Sequence, residues 1–191
     1  MKYVYLNQKV FSIRDEFKVY DDKQNVLYEA KGKFISLNSQ RDIFKTGELT
    51  PVYTMKQKVL TFVPTYFLYD SQKQQVAKMA QQLLAFFGTK FNLIVKEKKY
   101  DISGDFFGYN YQIKDEAGVV VQITKKILSW GDAYQIGIAD TFDEALAVGV
   151  VLMIDDFIDD ARKRRAAATI GATTSTNRPS NGSGPNRGGR R

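Results

Sequence analysis

The sequence predicts a mainly β fold: a closed antiparallel barrel of about twelve strands around a central hydrophobic C-terminal α-helix. Three observations predict it. A strand–turn–strand pattern recurs about every 24 residues. The segments within it alternate apolar and polar side chains with period two. A run with no polar side chain, Ala145 to Ile154, follows the last repeat.

The repeat is legible in four places. Gln8 to Val19 reads QKVFSIRDEFKV, Gln57 to Leu68 QKVLTFVPTYFL, Gln81 to Leu93 QQLLAFFGTKFNL, and Lys125 to Ile136 KKILSWGDAYQI. Each has two polar residues, two apolar, one small, one apolar, a short turn, then aromatic–x–apolar. A shorter copy, GKFISL, spans Gly32 to Leu37, and a degenerate one lies in YDISGDFFGYNYQI from Tyr100. Small residues mark the phase: Ser12, Ser36, Thr61, Ala85, Ser103 and Ser129. Polar turns separate the units at Asp21, Asp70 and Asp115. Two strands per unit and six units give about twelve strands.

One segment has a competing signal. Val76, Met79, Ala80, Leu83, Leu84 and Phe87 have helical spacing. The segment aligns with VVVQITKKILSW, which is rich in β-branched residues and suits a strand. The repeat therefore predicts a strand there.

The closing segment, TFDEALAVGVVLMIDDFIDDARKRR, predicts a helix from Phe142 to about Asp160. Thr141 and Glu144 have capping-box spacing, with Asp143 adding charge to the first turn. Asp159 with Lys163, and Asp160 with Arg164, sit at i,i+4 with the acid first. At about 1.5 Å per residue the apolar run covers roughly 15 Å, half a bilayer core. The expectation is no transmembrane span. A helix apolar all round must instead be enclosed, and the strands before it are what can enclose it.

Composition narrows the chemistry. The 191 residues contain no cysteine and no histidine. Thiolate chemistry is excluded, as are the commonest neutral-pH base and the commonest zinc ligands. The net charge is +7, but the acid-free tail 166–191 holds Arg178, Arg187, Arg190 and Arg191, so the body carries 24 bases against 21 acids. The tail is rich in Ser, Thr, Asn and Gly and predicts disorder after a barrel domain over residues 1–165. The N-terminal KYVYLNQKVFS has no signal-peptide segment, which predicts a cytoplasmic protein.

QKVFSIRDEFKVYDDKQNVLYEAKGKF, then SGDFFGYNYQIKDEAG, then KKILSWGDAYQIGIADTFDEALAVGVVLMID resemble a bacterial member of the LURP-one-related family. That family belongs to the tubby C-terminal-like superfamily, with the phospholipid scramblases. The resemblance covers residues 1–160 and implies a twelve-stranded barrel around a hydrophobic helix. Tubby domains bind phosphoinositide head groups through basic side chains on the barrel, but no such position matches residue by residue here. Scramblase relatives are associated with calcium near the last helix. Here Asp155, Asp156, Asp159 and Asp160 lack the spacing and glycine of a calcium loop and read as a solvated helix end.

No phosphate loop, nucleotide fingerprint or paired catalytic carboxylates are found. Trp130 reads as core or rim, and Lys96, Lys98 and Lys99 as a solvated strand end. The sequence predicts a non-catalytic binding or scaffold domain, a monomer without cofactor or metal. Its expected contacts are Arg162, Lys163, Arg164 and Arg165, on an anionic phospholipid surface or an acidic protein, which would place it peripherally at the membrane. The alternative is weak RNA association, for which only the Arg/Gly tail is suited.

Overall fold

The computed structural model describes residues 1–7, 16–33, 40–58, 63–82, 91–128 and 131–174. Its strands are β1 (Lys2–Asn7), β2 (Glu16–Tyr20), β3 (Val26–Lys33), β4 (Gln40–Lys45), β5 (Tyr53–Lys58) and β6 (Thr65–Asp70), then β7 (Gln75–Gln81), β8 (Phe91–Val95), β9 (Lys98–Asp105), β10 (Asn110–Asp115), β11 (Gly118–Leu128) and β12 (Gly131–Ile138). One helix, α1 (Glu144–Thr174), follows them. Every strand lies antiparallel beside its sequence neighbours, and β1 closes the barrel against β12 from Lys2↔Ile138 to Asn7↔Ala133. Closure leaves no edge strand to template aggregation. Two compact units are distinguished: Met1–Ile158, which contains the barrel, and Asp159–Arg191.

The strand alternation expected from the sequence is what points one set of side chains inward. Phe17 and Val19, Tyr66 and Leu68, Phe91, Leu93 and Val95, and Tyr134, Ile136 and Ile138 are all buried. The segment with helical spacing is strand β7 over Gln75–Gln81, as the repeat predicts; residues 83–90 lie outside the described residues. So do the phase markers Ser12, Ser36, Thr61, Ala85 and Ser129, and Trp130 with them.

The three polar turns share one device. Asp21 Oδ1 accepts the backbone N–H of Lys23 and Asn25, and Asp70 Oδ1 accepts those of Gln72 and Gln74. Asp115 Oδ1 accepts the N–H of Ala117 and Gly118. In each case the strand pairing slips next to the aspartate, between Val19 and Tyr20, Leu68 and Tyr69, and Ile113 and Lys114. Aspartate supplies the acceptor that a tight turn otherwise lacks, which is why it recurs there.

The barrel encloses the apolar part of α1. Every residue from Ala145 to Ile154 is buried, as are Phe157 and Ile158. A helix buried on all faces satisfies its own backbone hydrogen bonds, so it can occupy an apolar interior where a loop could not. The fit is close at Gly149. A Cβ at that position would lie 2.7 Å from Leu68 Cδ2 on β6 and 3.5 Å from Ile43 Cδ1 on β4. On another side, Phe157 meets Phe91 of β8 edge to face, with centroids 4.7 Å apart.

Two expectations at the helix ends are corrected. The cap is Asp143 rather than Thr141: its Oδ1 accepts the Leu146 N–H at 2.7 Å, and the first helical bond runs from Ala147 N to Asp143 O. Asp143 sits three residues before Leu146, the spacing that an N-cap side chain bridges. The helix also continues to Thr174, past the expected end near Asp160. Ala166, Ala167 and Ala168 follow the basic cluster, and alanine has the highest helix propensity. Residues 175–191 lie outside the described residues.

The close fit at Gly149 is testable. Gly149→Val should destabilise the fold by about 1–3 kcal/mol through overpacking. Leu68→Ala opens space beside it, so the double variant should be no less stable than Leu68→Ala alone in chemical denaturation. Additive losses would show that the two positions do not face each other.

Candidate functional site

The polar chemistry of the barrel unit gathers where α1 enters and where its apolar run stops. At the entry, Asp143 and Glu144 meet buried tyrosines of two strands and an exposed lysine of a third. Tyr28 of β3 donates its hydroxyl to Glu144 at 3.0 Å, and Lys2 of β1 forms an ion pair with the same carboxylate. Tyr53 of β5 donates to Asp143 at 3.5 Å. Burial, reinforced by the Asp143 carboxylate, pushes the Tyr53 hydroxyl up to about 12. Burial and Glu144 hold Tyr28 higher still. The Tyr100 ring meets Phe142 edge to face, with centroids 5.6 Å apart, and closes the apolar side of the entry.

At the other end the expected solvated acids prove to be two kinds of residue. Asp155 is 2% exposed, and its charge helps burial to hold the Tyr111 phenol well above its usual range. Asp156 accepts a 2.6 Å charge-assisted bond from Arg41 of β4, itself buried. The Arg41 guanidinium also lies over the Phe17 ring, 4.4 Å from its centroid. The solvated reading fails here because Phe157 and Ile158 carry the buried part of the helix beyond the aspartates. The signal was present: Arg41 is in phase with Ile43 and so had to point inward.

The four predicted contact residues lie on the part of α1 that belongs to the second unit. Arg162, Lys163 and Arg164 are exposed, and the Arg165 side chain lies outside the described residues. Arg162 approaches Asp159 at 3.8 Å, an i,i+3 contact in place of the expected i,i+4 pairs. Among the described residues, no group of three or more acids could hold a metal ion, and no helix is long and apolar enough to cross a membrane.

A LURP-one-related family model matches residues 3–155, the barrel and the enclosed helix together. The chain belongs to the LURP-one-related family. Uncharacterized protein YxjI of Bacillus subtilis (strain 168) is 27% identical over 152 residues, covering 80% of this chain and 91% of that protein. An X-ray structure of an Arabidopsis thaliana protein superposes with a TM-score of 0.57 at 14% identity, covering 82% of this chain and 91% of that one. At that identity the likeness establishes a shared fold. The family match ends at residue 155, so it excludes the basic cluster.

The buried tyrosines set a pH limit on this LURP-one-related domain. In the unfolded chain tyrosine loses its proton near pH ~10. The folded state keeps the Tyr53 proton to about 12, so the native state binds more protons in that window. The contribution is complete below pH ~10 and is lost as pH rises toward 12. Thermal unfolding should therefore shift steeply down above pH ~10, with a step in tyrosinate absorbance coincident with unfolding. Tyr53→Phe should flatten the slope. A tyrosinate signal that develops fully before unfolding would contradict the burial.

Proposed function

We propose that this protein is a non-catalytic binding domain that associates peripherally with an anionic surface. The observation that carries the proposal is the filled interior. Side chains of α1 occupy the space in which many barrels hold a ligand, so recognition falls to the outside. Neither histidine nor cysteine is present, and at the helix ends Tyr28 is engaged with Glu144 and Arg41 with Asp156.

Arg162, Lys163, Arg164 and Arg165 are the proposed contact residues. Three have exposed side chains, and their cationic heads reach outward on long stems. Each base near an anionic membrane surface is worth about 1 kcal/mol, so the four together give measurable, salt-sensitive binding. Asp159 beside Arg162 offsets part of it.

The test is co-sedimentation with vesicles of phosphatidylcholine, with and without phosphatidylserine, at low and physiological salt. The full chain should sediment with the anionic vesicles alone, less at higher salt. Replacing all four bases with glutamine should weaken this by about tenfold or more. Binding that ignores salt, or that survives the four substitutions, would overturn the assignment.

A further inference from the structure

The strand register assembles a row of side chains that no linear segment contains. Lys56 of β5 pairs with Phe67 of β6, Phe67 with Lys78 of β7, Lys78 with Ile94 of β8, and Ile94 with Lys99 of β9. Lys56, Phe67, Lys78 and Ile94 point outward because their strand neighbours Met55, Tyr66, Leu68, Met79 and Leu93 are buried inside, and Lys99 does so because it is out of phase with buried Ile102 on β9. Lys56, Lys78 and Lys99 are exposed, and Phe67 and Ile94 are half-buried. The outer wall thus presents cation, ring, cation, aliphatic and cation in turn, with no acid between them. Tyr69 extends the aromatic part, its ring 6.3 Å from that of Phe67 and under the Lys56 ammonium at 5.4 Å.

This sector differs from the wall over β2 and β3. On β2 and β3, Lys18 and Lys31 both pair with Glu29, so their charge is spent locally. Among the described residues no ion pair ties Lys56, Lys78 or Lys99.

We infer that this row is a binding track for single-stranded nucleic acid. Curvature and chemistry select that partner. Twelve strands share the circumference, so each strand-to-strand step turns the outward direction by about 30°. Lys56 and Lys99 therefore face roughly 120° apart, and a flat bilayer touching Lys78 recedes from both. A flexible polyanion follows the curve. Neighbouring strands are about 4.8 Å apart, so successive lysines stand roughly 10 Å apart along the track, each within reach of a phosphate on a flexible stem. The half-buried rings of Phe67 and Tyr69 stand among these lysines, the combination of cations and aromatic side chains that sequence-tolerant single-strand binding uses. An acidic peptide satisfies the lysines and gains nothing required from the rings. The inference extends nucleic-acid contact from the tail, where the sequence confines it, to the barrel wall.

The experiment is fluorescence anisotropy of the full chain with a labelled single-stranded RNA of about 15 nucleotides, across a salt series. Lys56→Gln, Lys78→Gln and Lys99→Gln together should weaken binding at least about tenfold and lower the log–log salt slope by about 2, at roughly 0.7 per phosphate contact. Phe67→Ala should weaken it at least about fivefold with the slope unchanged, because it removes stacking and no charge. Circular dichroism checks that both variants fold; these side chains lie on the outer wall. Glutamine at Arg162, Lys163, Arg164 and Arg165 should leave the Phe67 effect intact, so the two sites fail separately. The inference is overturned by absence of binding at low salt, or by binding that disappears only when the tail arginines are replaced. It is equally overturned by an affinity insensitive to Phe67→Ala, which would mark unspecific polyanion attraction, or by anionic vesicles or polyglutamate competing for the same row as effectively as RNA.

Discussion

A helix with no polar face can exist in water only if something surrounds it, and everything else in this protein follows from that requirement. From Ala145 to Ile154 the chain offers no side that tolerates solvent. Burying a valine, leucine or isoleucine is worth about 1.5–3 kcal/mol, so exposing this run would cost more than the entire stability of an ordinary domain. Twelve antiparallel strands provide the enclosure, and their inward side chains complete a core that neither part could form alone. The hydrophobic driving force is non-directional, so the depth and rotation of the helix rest on close packing, as at Gly149, and on polar groups. Asp143 and Glu144 are held at the entry by Tyr53, Tyr28 and Lys2, and Asp156 is held by Arg41 from β4. A buried ion pair of this kind contributes little net stability because both charges lose their water. It is compatible with the position of the helix in which Gly149 faces Leu68 and Ile43.

The same requirement fills the barrel interior with the protein's own helix, so the open surface of the barrel unit is its outer wall. The wall is not uniform. Carboxylates neutralise lysines over β2 and β3, whereas lysines alternate with apolar side chains from β5 to β9. The cluster Arg162 to Arg165 stands apart from this row in the chain and lies beyond the family match.

The architecture was legible because its signals are local and repeated. The six units are six hairpins, and the aspartates at 21, 70 and 115 punctuate them with one turn chemistry. The repeat overruled the helical spacing in β7 because a pattern shared with five sister units carries more information than one amphipathic segment. Sequence reasoning failed where the answer depended on partners distant in the chain. Thr141 and Glu144 had capping-box spacing, yet Asp143 takes the cap, since the position of the first turn is set by how deep the helix sits. Asp156 looked like a solvated acid because its partner Arg41 is more than a hundred residues away, and Asp155 because the buried part of the helix runs on to Ile158. The row from Lys56 to Lys99 has no linear signature at all, because a register shift of one residue would turn each of its members inward.

The most direct test of the enclosure is native-state amide hydrogen exchange. If the helix and the barrel support each other, amides from Ala147 to Ile158 and those of the central strands should exchange only through one global opening, with the same free energy and the same denaturant dependence. A helix whose amides exchange through a separate opening of lower energy, while the strands stay protected, would show that the barrel stands without it and would contradict the account.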